Sequence, residues 1–491
     1  MDYSRLTRSL LYCYKSSAYL IEVRFLFARH EVKESFRIGM RALELAGYHF
    51  SSKASLKTVL MLAKTRSMMK KKSPGILDMP IIRDKETITI LSLLLIMIYV
   101  SLDENRRAVP MITMSAIQLS MARGISPSMA SSLAFFGSLL VRCGFKNAEG
   151  AKYVALAMEV QAKYGYKNSV ANVAMMSFGT IFSFTTPLAD CIKPLSDAFR
   201  IGLENGDTTH AMSCCSMQVG IRATKARLPP KLLILTMLQL LFRFLSGQNL
   251  RLLASILRKQ YSEMKQNNLT RSMRAIETIA AAVNNLLGKG SSQSCLPIAV
   301  GDGPEIVGTS RVLISIGSIL QLVNSYLLGD IEGAMRMTTK LNDAPDILAG
   351  TILPYFSEFY RGMSSLTLLH IQRSQIGMAQ LKTSLKRCKI GRNKSPQNLS
   401  HQAYLLEAEY NFLLKKYSAS EKLYLQAIEH SSAVLHENAL AHERLGWFYL
   451  QRSQHEKAKE QLVQARLLYS KWGSRAKVKI LEMRYSCLNA S

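Results

Sequence analysis

Residues 441–481 read AHERLGWFYLQRSQHEKAKEQLVQARLLYSKWGSRAKVKIL, and their spacing is typical of two helices joined by a short turn. Small residues recur where two antiparallel helices must approach closely, and larger residues recur where neighbouring hairpins interlock. The residues that carry this pattern are Leu445, Gly446 and Tyr449 on the first helix and Ala458, Leu462 and Ala465 on the second.

An earlier hairpin repeats the scheme less closely, with Ala408, Ser420, Tyr424 and Ala427 at its packing positions. Gly446 follows Ala408 by more than the roughly 34 residues of a standard tetratricopeptide repeat, so we expect a lengthened connection between the hairpins. The two hairpins together predict stacked antiparallel helix pairs. Proteins of this architecture usually bind other proteins and perform no chemistry.

The rest of the chain extends this helical prediction. Its 491 residues, 48% of them hydrophobic, are too many for one compact domain but suit a helical array. The periodicity is helical throughout, with helices expected within Asp84–Gly124, Pro127–Gly144 and Ala148–Tyr164. The sequence therefore predicts an all-α fold, an α-solenoid of stacked antiparallel helix pairs that resemble tetratricopeptide repeats.

One long stretch rich in glycine and serine divides the chain, between Gly288 and Ser310. We therefore expect a degenerate helical-repeat array at 1–290, a loop or linker at 291–310, and a tetratricopeptide-like array with a C-terminal capping motif at 311–491.

Shorter signals predict smaller breaks. Gly391–Ser400, which contains Pro396, is interpreted as a second linker. Gly206-Asp207 and Gly329-Asp330 each predict the end of one helix and the start of the next.

The formal net charge is +29, which fits a nucleic acid or an anionic membrane surface as a partner, although a solvated basic surface is the favoured interpretation. One basic cluster is Lys70–Lys72. The other is a candidate for contact with an anion or a phosphate, and it consists of Lys382, Lys386, Arg387, Lys389, Arg392 and Lys394. A site for single-stranded nucleic acid would have aromatic residues among its cations, because the bases stack on them. Neither cluster has such aromatic residues.

No motif for catalysis, metal or a cofactor is found. Residues 303–310 have the glycine spacing of a phosphate-binding loop but lack its lysine. His436 and His442 lie six positions apart, which places them on different faces of a helix, so an exposed polar helix is predicted there. Paired carboxylates such as Glu407 and Glu409 are interpreted as solvated. We expect no enzyme and no cofactor.

The sequence gives weak signals about location. Its 8 cysteines form no CxxC pair and suit buried thiols in a reducing compartment. The apolar run Ile88–Leu102 falls short of the ~20 residues of a membrane span, so a buried helix and no membrane span are expected. A cytoplasmic location is favoured. Mitochondrial or plastid targeting stays open because the first residues are basic and poor in acids.

Residues 465–482, ARLLYSKWGSRAKVKILE, are more specific than the repeat pattern. They resemble the closing motif of the helical-repeat region in very large signalling proteins. In that family a serine/threonine-kinase-like domain and an AAA/STAND-type ATPase precede the repeats, and a GAF sensor with a histidine kinase or nucleotide cyclase follows. Residues 187–211 resemble a second landmark of the same region.

The resemblance implies the repeat scaffold alone, because the ATPase and effector domains have no counterpart in this sequence. The family motif usually has alanine where Ser474 stands. We expect Tyr469 and Trp472 to cap the last hydrophobic layer and Gly473 to end a helix. A binding role for Trp472 is the alternative.

The leading hypothesis is a non-enzymatic scaffold whose concave faces hold a protein partner, such as a kinase or an ATPase. The alternative is a basic helical-repeat protein that binds RNA, in the cytoplasm or in an organelle. A fragment of a larger ATPase–kinase is a further reading.

Overall fold

The computed structural model describes residues 16–27, 29, 31–50, 56–204, 242–266, 270–289, 311–343, 348, 351–371, 375–485 and 488. Helices dominate this part of the chain, which contains no β-strand and a single isolated bridge between Ile81 and Ile125. The predicted all-α fold class is therefore confirmed for the described residues.

The described residues form two compact units. Unit 1 contains those up to Ile181 and those from 197 to 204, and unit 2 contains Phe182–Ser196 and those from 242 onward. The predicted linker 291–310 and the predicted turn at Gly206-Asp207 lie outside the described residues. The helix before 291–310 and the helix after it both belong to unit 2 and contact each other.

Unit 1 is built mainly from eight described helices, α1 to α8. Their bounds are 16–27 for α1, Val32–Leu45 for α2, Leu56–Lys72 for α3, Lys85–Glu104 for α4, Val109–Arg123 for α5, Met129–Arg142 for α6, Asn147–Tyr164 for α7 and Val170–Met176 for α8. A further helix, α9, spans Ile192–Glu204 and contains residues of both units.

Local sequence explains where the helices of unit 1 start and stop. The Asp84 carboxylate accepts hydrogen bonds from the amides of Glu86 and Thr87, which caps α4. Gly124 and Gly165 end α5 and α7 with φ angles of 123° and 65°, which side-chain-bearing residues rarely adopt. The helices expected within 84–164 are thus present, with bounds close to those predicted.

Helix α4 contains the apolar run Ile88–Leu102. Its segment Lys85–Leu102, with a mean hydropathy of 1.7, is the one described segment that is long and apolar enough to cross a membrane. Half of this segment is buried, and Leu94, Met97 and Ile98 are fully buried in the core of unit 1. The helix is longer than the apolar run suggested, and burial inside the unit accounts for its composition.

Unit 2 contains eleven further described helices. Their bounds are Leu250–Gln266 for α10, Thr270–Leu287 for α11, Arg311–Leu328 for α12, Ile331–Asp343 for α13, Leu353–Ile371 for α14, Gln375–Lys394 for α15, Pro396–Leu413 for α16, Tyr417–Ser431 for α17, Leu435–Gln451 for α18, His455–Trp472 for α19 and Arg475–Arg484 for α20.

The helices of unit 2 pack in consecutive pairs, from α10 with α11 to α18 with α19. The first helices of successive pairs also touch, so α12 contacts α14, α14 contacts α16, and α16 contacts α18. The last helix, α20, packs against α19 and also against α11 and α12. The packing is therefore repeat-like, and its C-terminal end lies against helices from its beginning.

The prediction of a linker at Gly391–Ser400 is wrong. Within it, Ser395 alone lies outside a helix, because α15 continues to Lys394 and α16 starts at Pro396. Proline suits the first position of a helix, where its missing N–H has no partner to lose. Pro396 therefore marks a helix start and not a flexible connection.

Three turns inside pairs, those between α12 and α13, α16 and α17, and α18 and α19, share one geometry. A single residue takes a left-handed conformation, with φ of 82° at Gly329, 60° at Lys415 and 56° at Ser453. The next amide donates to the carbonyl oxygen five residues earlier, at 2.8–2.9 Å. Asp330 then accepts a 2.8 Å bond from the Gly333 amide at the start of α13. The predicted turn at Gly329-Asp330 is confirmed.

Candidate functional site

The residues predicted to pack the two C-terminal hairpins are all buried in unit 2. They are Ala408, Ala427, Leu445, Gly446, Tyr449, Ala458, Leu462, Ala465, Tyr469, Trp472 and Gly473. A Cβ atom on Gly446 would lie 2.7 Å from the Leu462 Cγ atom, so glycine permits the close approach of α18 and α19. Gly473 ends α19 with φ of 99°.

Trp472 lies in the interior, fully buried. Its ring stacks on the His436 ring, with centroids 4.7 Å apart and planes 20° apart, and the Phe244 centroid lies 5.9 Å away. The tryptophan thus joins α19 to α18 and to the segment before α10. This placement does not favour the binding role considered for Trp472.

The predicted anion-binding cluster lies along α15, and half of its cations face acids of unit 2. Arg387 lies 2.9 Å from the Glu358 carboxylate. Arg392 and Lys389 lie 3.3 Å and 3.8 Å from the Glu407 carboxylate. These side chains already have anionic partners, so less positive charge remains for a phosphate than the sequence suggested.

The other three cations of the cluster differ from one another. Lys394 lies near the Tyr355 ring, with Nζ 5.5 Å from its centroid. Lys382 and Lys386 are exposed, and neither forms an ion pair with a described residue. Of the six predicted residues, these two lysines are the best placed to meet an external anion.

A set of buried carboxylates, which the sequence did not reveal, lies in the interior of unit 2. Each is 3% exposed or less, and the set consists of Glu358, Glu409, Glu437 and Glu443. A buried, unpaired carboxylate would cost several kcal/mol, so each needs a cation or several hydrogen-bond donors.

Glu409 on α16 forms a two-pronged pair with Arg444 on α18, with N···O distances of 2.6 Å and 2.7 Å. The Tyr424 hydroxyl of α17 donates to the same carboxylate at 2.7 Å. Burial alone would lower the pKa of Arg444, but the charge of Glu409 outweighs it and raises that pKa well above its usual value. This cluster connects three consecutive helices.

Glu443, one residue earlier on α18, connects the next helices. Its carboxylate lies 3.0 Å from the Lys477 ammonium of α20 and accepts a 2.9 Å bond from the Tyr469 hydroxyl of α19. Burial would raise the pKa of Glu443, yet Lys477 holds it below its ordinary value. Burial also lowers the pKa of Lys477, partly opposed by the same carboxylate.

Glu437 lies at the start of α18 and contacts the His401 ring of α16 through its carboxylate. Gln402 donates to the other carboxylate oxygen at 2.6 Å. Burial would raise the pKa of Glu437, but the charge and hydrogen bond of His401 keep it lowered. Neighbouring His436 is fully buried, and neither ring nitrogen has a hydrogen-bond partner. Burial lowers the pKa of His436 to about 4.

Two predictions about polar residues are therefore wrong. The helix segment at His436-Glu437 is buried and not an exposed polar face, and Glu409 is buried and not solvated. A polar residue looks the same in the sequence whether its side chain is exposed to water or is buried against a partner 35 residues away. The signal that could have found Glu409 is Arg444, an arginine 35 residues later in the next hairpin.

The buried carboxylates and their donors stabilise the packing of the helices. Each of these carboxylates accepts hydrogen bonds from a neighbouring helix, which fixes the positions of the helices. Among the described residues, no group of three or more His, Cys, Asp or Glu side chains is placed to hold a metal ion. The described cysteines, of which Cys191 and Cys388 are buried and Cys143 is exposed, form no disulfide.

Comparison with known proteins adds no family. The chain matches no protein-family model and no curated protein sequence.

Proposed function

We propose that the protein is a non-catalytic helical-repeat scaffold, an α-solenoid of the tetratricopeptide type that binds other proteins. The observation that carries this proposal is the series of consecutive helix pairs in unit 2, in which first helices lie side by side. Stacked pairs with recurrent turns form extended surfaces for protein partners. The resemblance of residues 465–482 to the repeat region of ATPase–kinase signalling proteins supports the same class.

The charges of unit 2 bear on where a partner would bind. Glu437 and Glu443 both lie on α18, the first helix of its pair, and donors of the same chain already occupy both carboxylates. We therefore place the partner on outer, exposed residues of the pairs and not on these inner positions.

The alternative is an RNA-binding protein, and one observation favours it. Lys382 and Lys386 lie one helical turn apart on α15, exposed and without a described ion pair. Against it, three other cations of that helix already face Glu358 and Glu407. RNA recognition would depend on the remaining lysines and on scattered charge.

Affinity purification of the full chain from its own cells tests the proposal. The chain is recovered with and without nuclease and at two salt concentrations. The proteins and the RNA that are recovered with it are both measured. The scaffold predicts a stoichiometric protein, such as a kinase or an ATPase, that persists through nuclease and higher salt. RNA that is lost at higher salt, without a protein partner, would contradict it.

A charge-reversal variant separates the two functions. Lys382→Glu with Lys386→Glu would abolish RNA retention if the exposed face of α15 binds phosphate. Lys422→Glu with Lys471→Glu, on α17 and α19, makes the same change in charge at two other exposed positions. The scaffold proposal expects both variants to keep the protein partner alike.

A further inference from the structure

Helix α3 carries an apolar strip on its solvent side. Leu56 is 75% exposed, Val59 is 63% exposed and Leu60 is 61% exposed, and Ala63 continues the strip one turn later. Their spacing of three and four residues places all four on one face of the helix. An exposed apolar strip is unfavourable in water, and such a strip on a folded protein marks a contact surface.

The helix cannot turn this face inward, because its opposite side is fixed to unit 1. Met69 and Thr65 are fully buried, and α3 contacts α5. The Thr65 hydroxyl accepts a 2.7 Å bond from the Gln118 side chain. Arg66 pairs with Glu149 of α7 at 2.6 Å. The apolar strip therefore stays on the outside of the folded unit.

Lysines flank the strip along its whole length. Lys57, Lys64 and Lys71 are exposed and lie seven residues apart, so they form a row beside the apolar residues. Lys70 and Lys72 add charge at the C-terminal end. None of the row forms an ion pair with a described residue, and the sequence contains no acid between Glu44 and Asp78.

We propose that this face of α3 docks on an anionic lipid bilayer. An apolar strip bordered by lysines is the pattern with which a helix lies in the membrane interface, where apolar side chains enter the acyl boundary and ammonium groups meet phosphates. The strip contains aliphatic side chains only, whereas single-stranded nucleic acid would call for aromatic stacking. This surface lies in unit 1 and does not depend on the scaffold function proposed for unit 2.

Vesicle sedimentation of the full chain tests the proposal. The probes are phosphatidylcholine vesicles with and without about a third phosphatidylglycerol, at two salt concentrations. Binding is expected on the anionic vesicles, with a decrease at higher salt. Equal binding to neutral vesicles, or none to either, would overturn the inference.

Two variants divide the apolar contribution from the charge. Val59→Gln with Leu60→Gln removes the apolar side chains without changing the charge and should abolish binding. Leu425→Gln with Leu467→Gln, at leucines of α17 and α19 that are 52% and 51% exposed, is the matched control that should leave binding unchanged. Replacing Lys57, Lys64 and Lys71 by glutamine should weaken binding about fivefold for each lysine, or about a hundredfold in total.

Circular dichroism checks that each variant keeps its helix content. Vesicle binding that survives the Val59→Gln/Leu60→Gln change would place the membrane contact elsewhere and overturn the inference. If the lysine row proves to retain RNA while the anionic vesicles stay unbound, the face is a nucleic-acid surface and the inference is wrong.

Discussion

At the scale of single residues, Lys415 and Ser453 hold the left-handed position that Gly329 holds in an equivalent turn. A residue with a side chain pays roughly 1–2 kcal/mol for this conformation. Glycine avoids that cost but loses more conformational entropy on folding, which cancels part of the gain. We expect Ser453→Gly to raise the free energy of unfolding by about 0.5–1 kcal/mol. Denaturant unfolding followed by tryptophan fluorescence measures it, since Trp447 and Trp472 both lie in unit 2.

The reverse change is the control for this turn. Gly329→Ala places a side chain at φ of 82° and should lower stability by about 1 kcal/mol. A loss of stability in Ser453→Gly would show that the serine side chain contributes more than its backbone costs.

The buried pair of Glu409 and Arg444 gives a second prediction at this scale. Arg444→Met leaves a buried carboxylate without its cation and should cost about 3 kcal/mol or more. In the double variant Glu409→Gln/Arg444→Met the site is neutral, and the Tyr424 hydroxyl keeps an acceptor. Much of the lost stability should return. Equal losses in the single and double variants would mean that the charge pair is not what fixes these helices.

His436 makes unit 2 sensitive to acid. Because burial lowers its pKa from 6.5 to about 4, the unfolded state binds more protons between these values. Stability from this group is complete above pH 6.5 and decreases as the pH falls toward about 4, by on the order of 3 kcal/mol. Two titratable side chains also act on the pKa of His436. Glu437 raises it and His401 lowers it.

His436→Phe should remove this part of the pH dependence and keep the stacking on Trp472. The variant removes two buried nitrogens without partners, so its stability at pH 7 should not decrease. Unfolding measured across the pH range checks this, with His455→Gln on an exposed histidine as control. An unchanged pH profile in His436→Phe would assign the acid sensitivity to other groups.

At the scale of helices, α6 and α7 approach through two glycines. A Cβ atom on Gly150 would lie 2.8 Å from the Gly137 carbonyl oxygen, and one on Gly137 would lie 2.6 Å from the Gly150 carbonyl oxygen. Backbone cannot yield as a flexible side chain does, so Gly150→Ala should separate the helices and cost about 1–3 kcal/mol. Thermal unfolding followed by circular dichroism measures the loss.

Gly75→Ala is the matched control in the same unit, because nothing lies within 4 Å of its Cβ position. It should change stability little. If Gly150→Ala were equally neutral, the close approach of α6 and α7 would not be a condition of the fold.

Helix identity and the C-terminal hairpins could be predicted because apolar spacing and small residues record them locally. Gly446 and Leu462 lie in one hairpin, and their spacing alone indicates that they meet. The charged partners of Glu409 and Glu443 were not predicted, since Arg444 and Lys477 lie 35 and 34 residues away, on helices whose placement depends on the whole array. Polar periodicity then suggests a solvated face where the structure has a buried pair.

At the scale of the whole molecule, the last helix of unit 2 contacts the helices where the unit begins. Ser474 caps α20, as its hydroxyl accepts from the Lys477 amide, and the same hydroxyl donates to the Leu286 carbonyl of α11 at 2.9 Å. Lys477 reaches Glu443 of α18. A serine is therefore favoured at 474, where alanine would lose both bonds.

Deletion of residues 474–491 should consequently loosen the start of unit 2 as well as its end. We expect faster amide hydrogen exchange in α11 and α18, because the deletion removes the partner of Leu286 and leaves Glu443 without its lysine. Exchange in α4 to α7 of unit 1 should stay as it is. If α11 kept its protection without α20, the contact between the last and first helices would contribute nothing to the stability of the array.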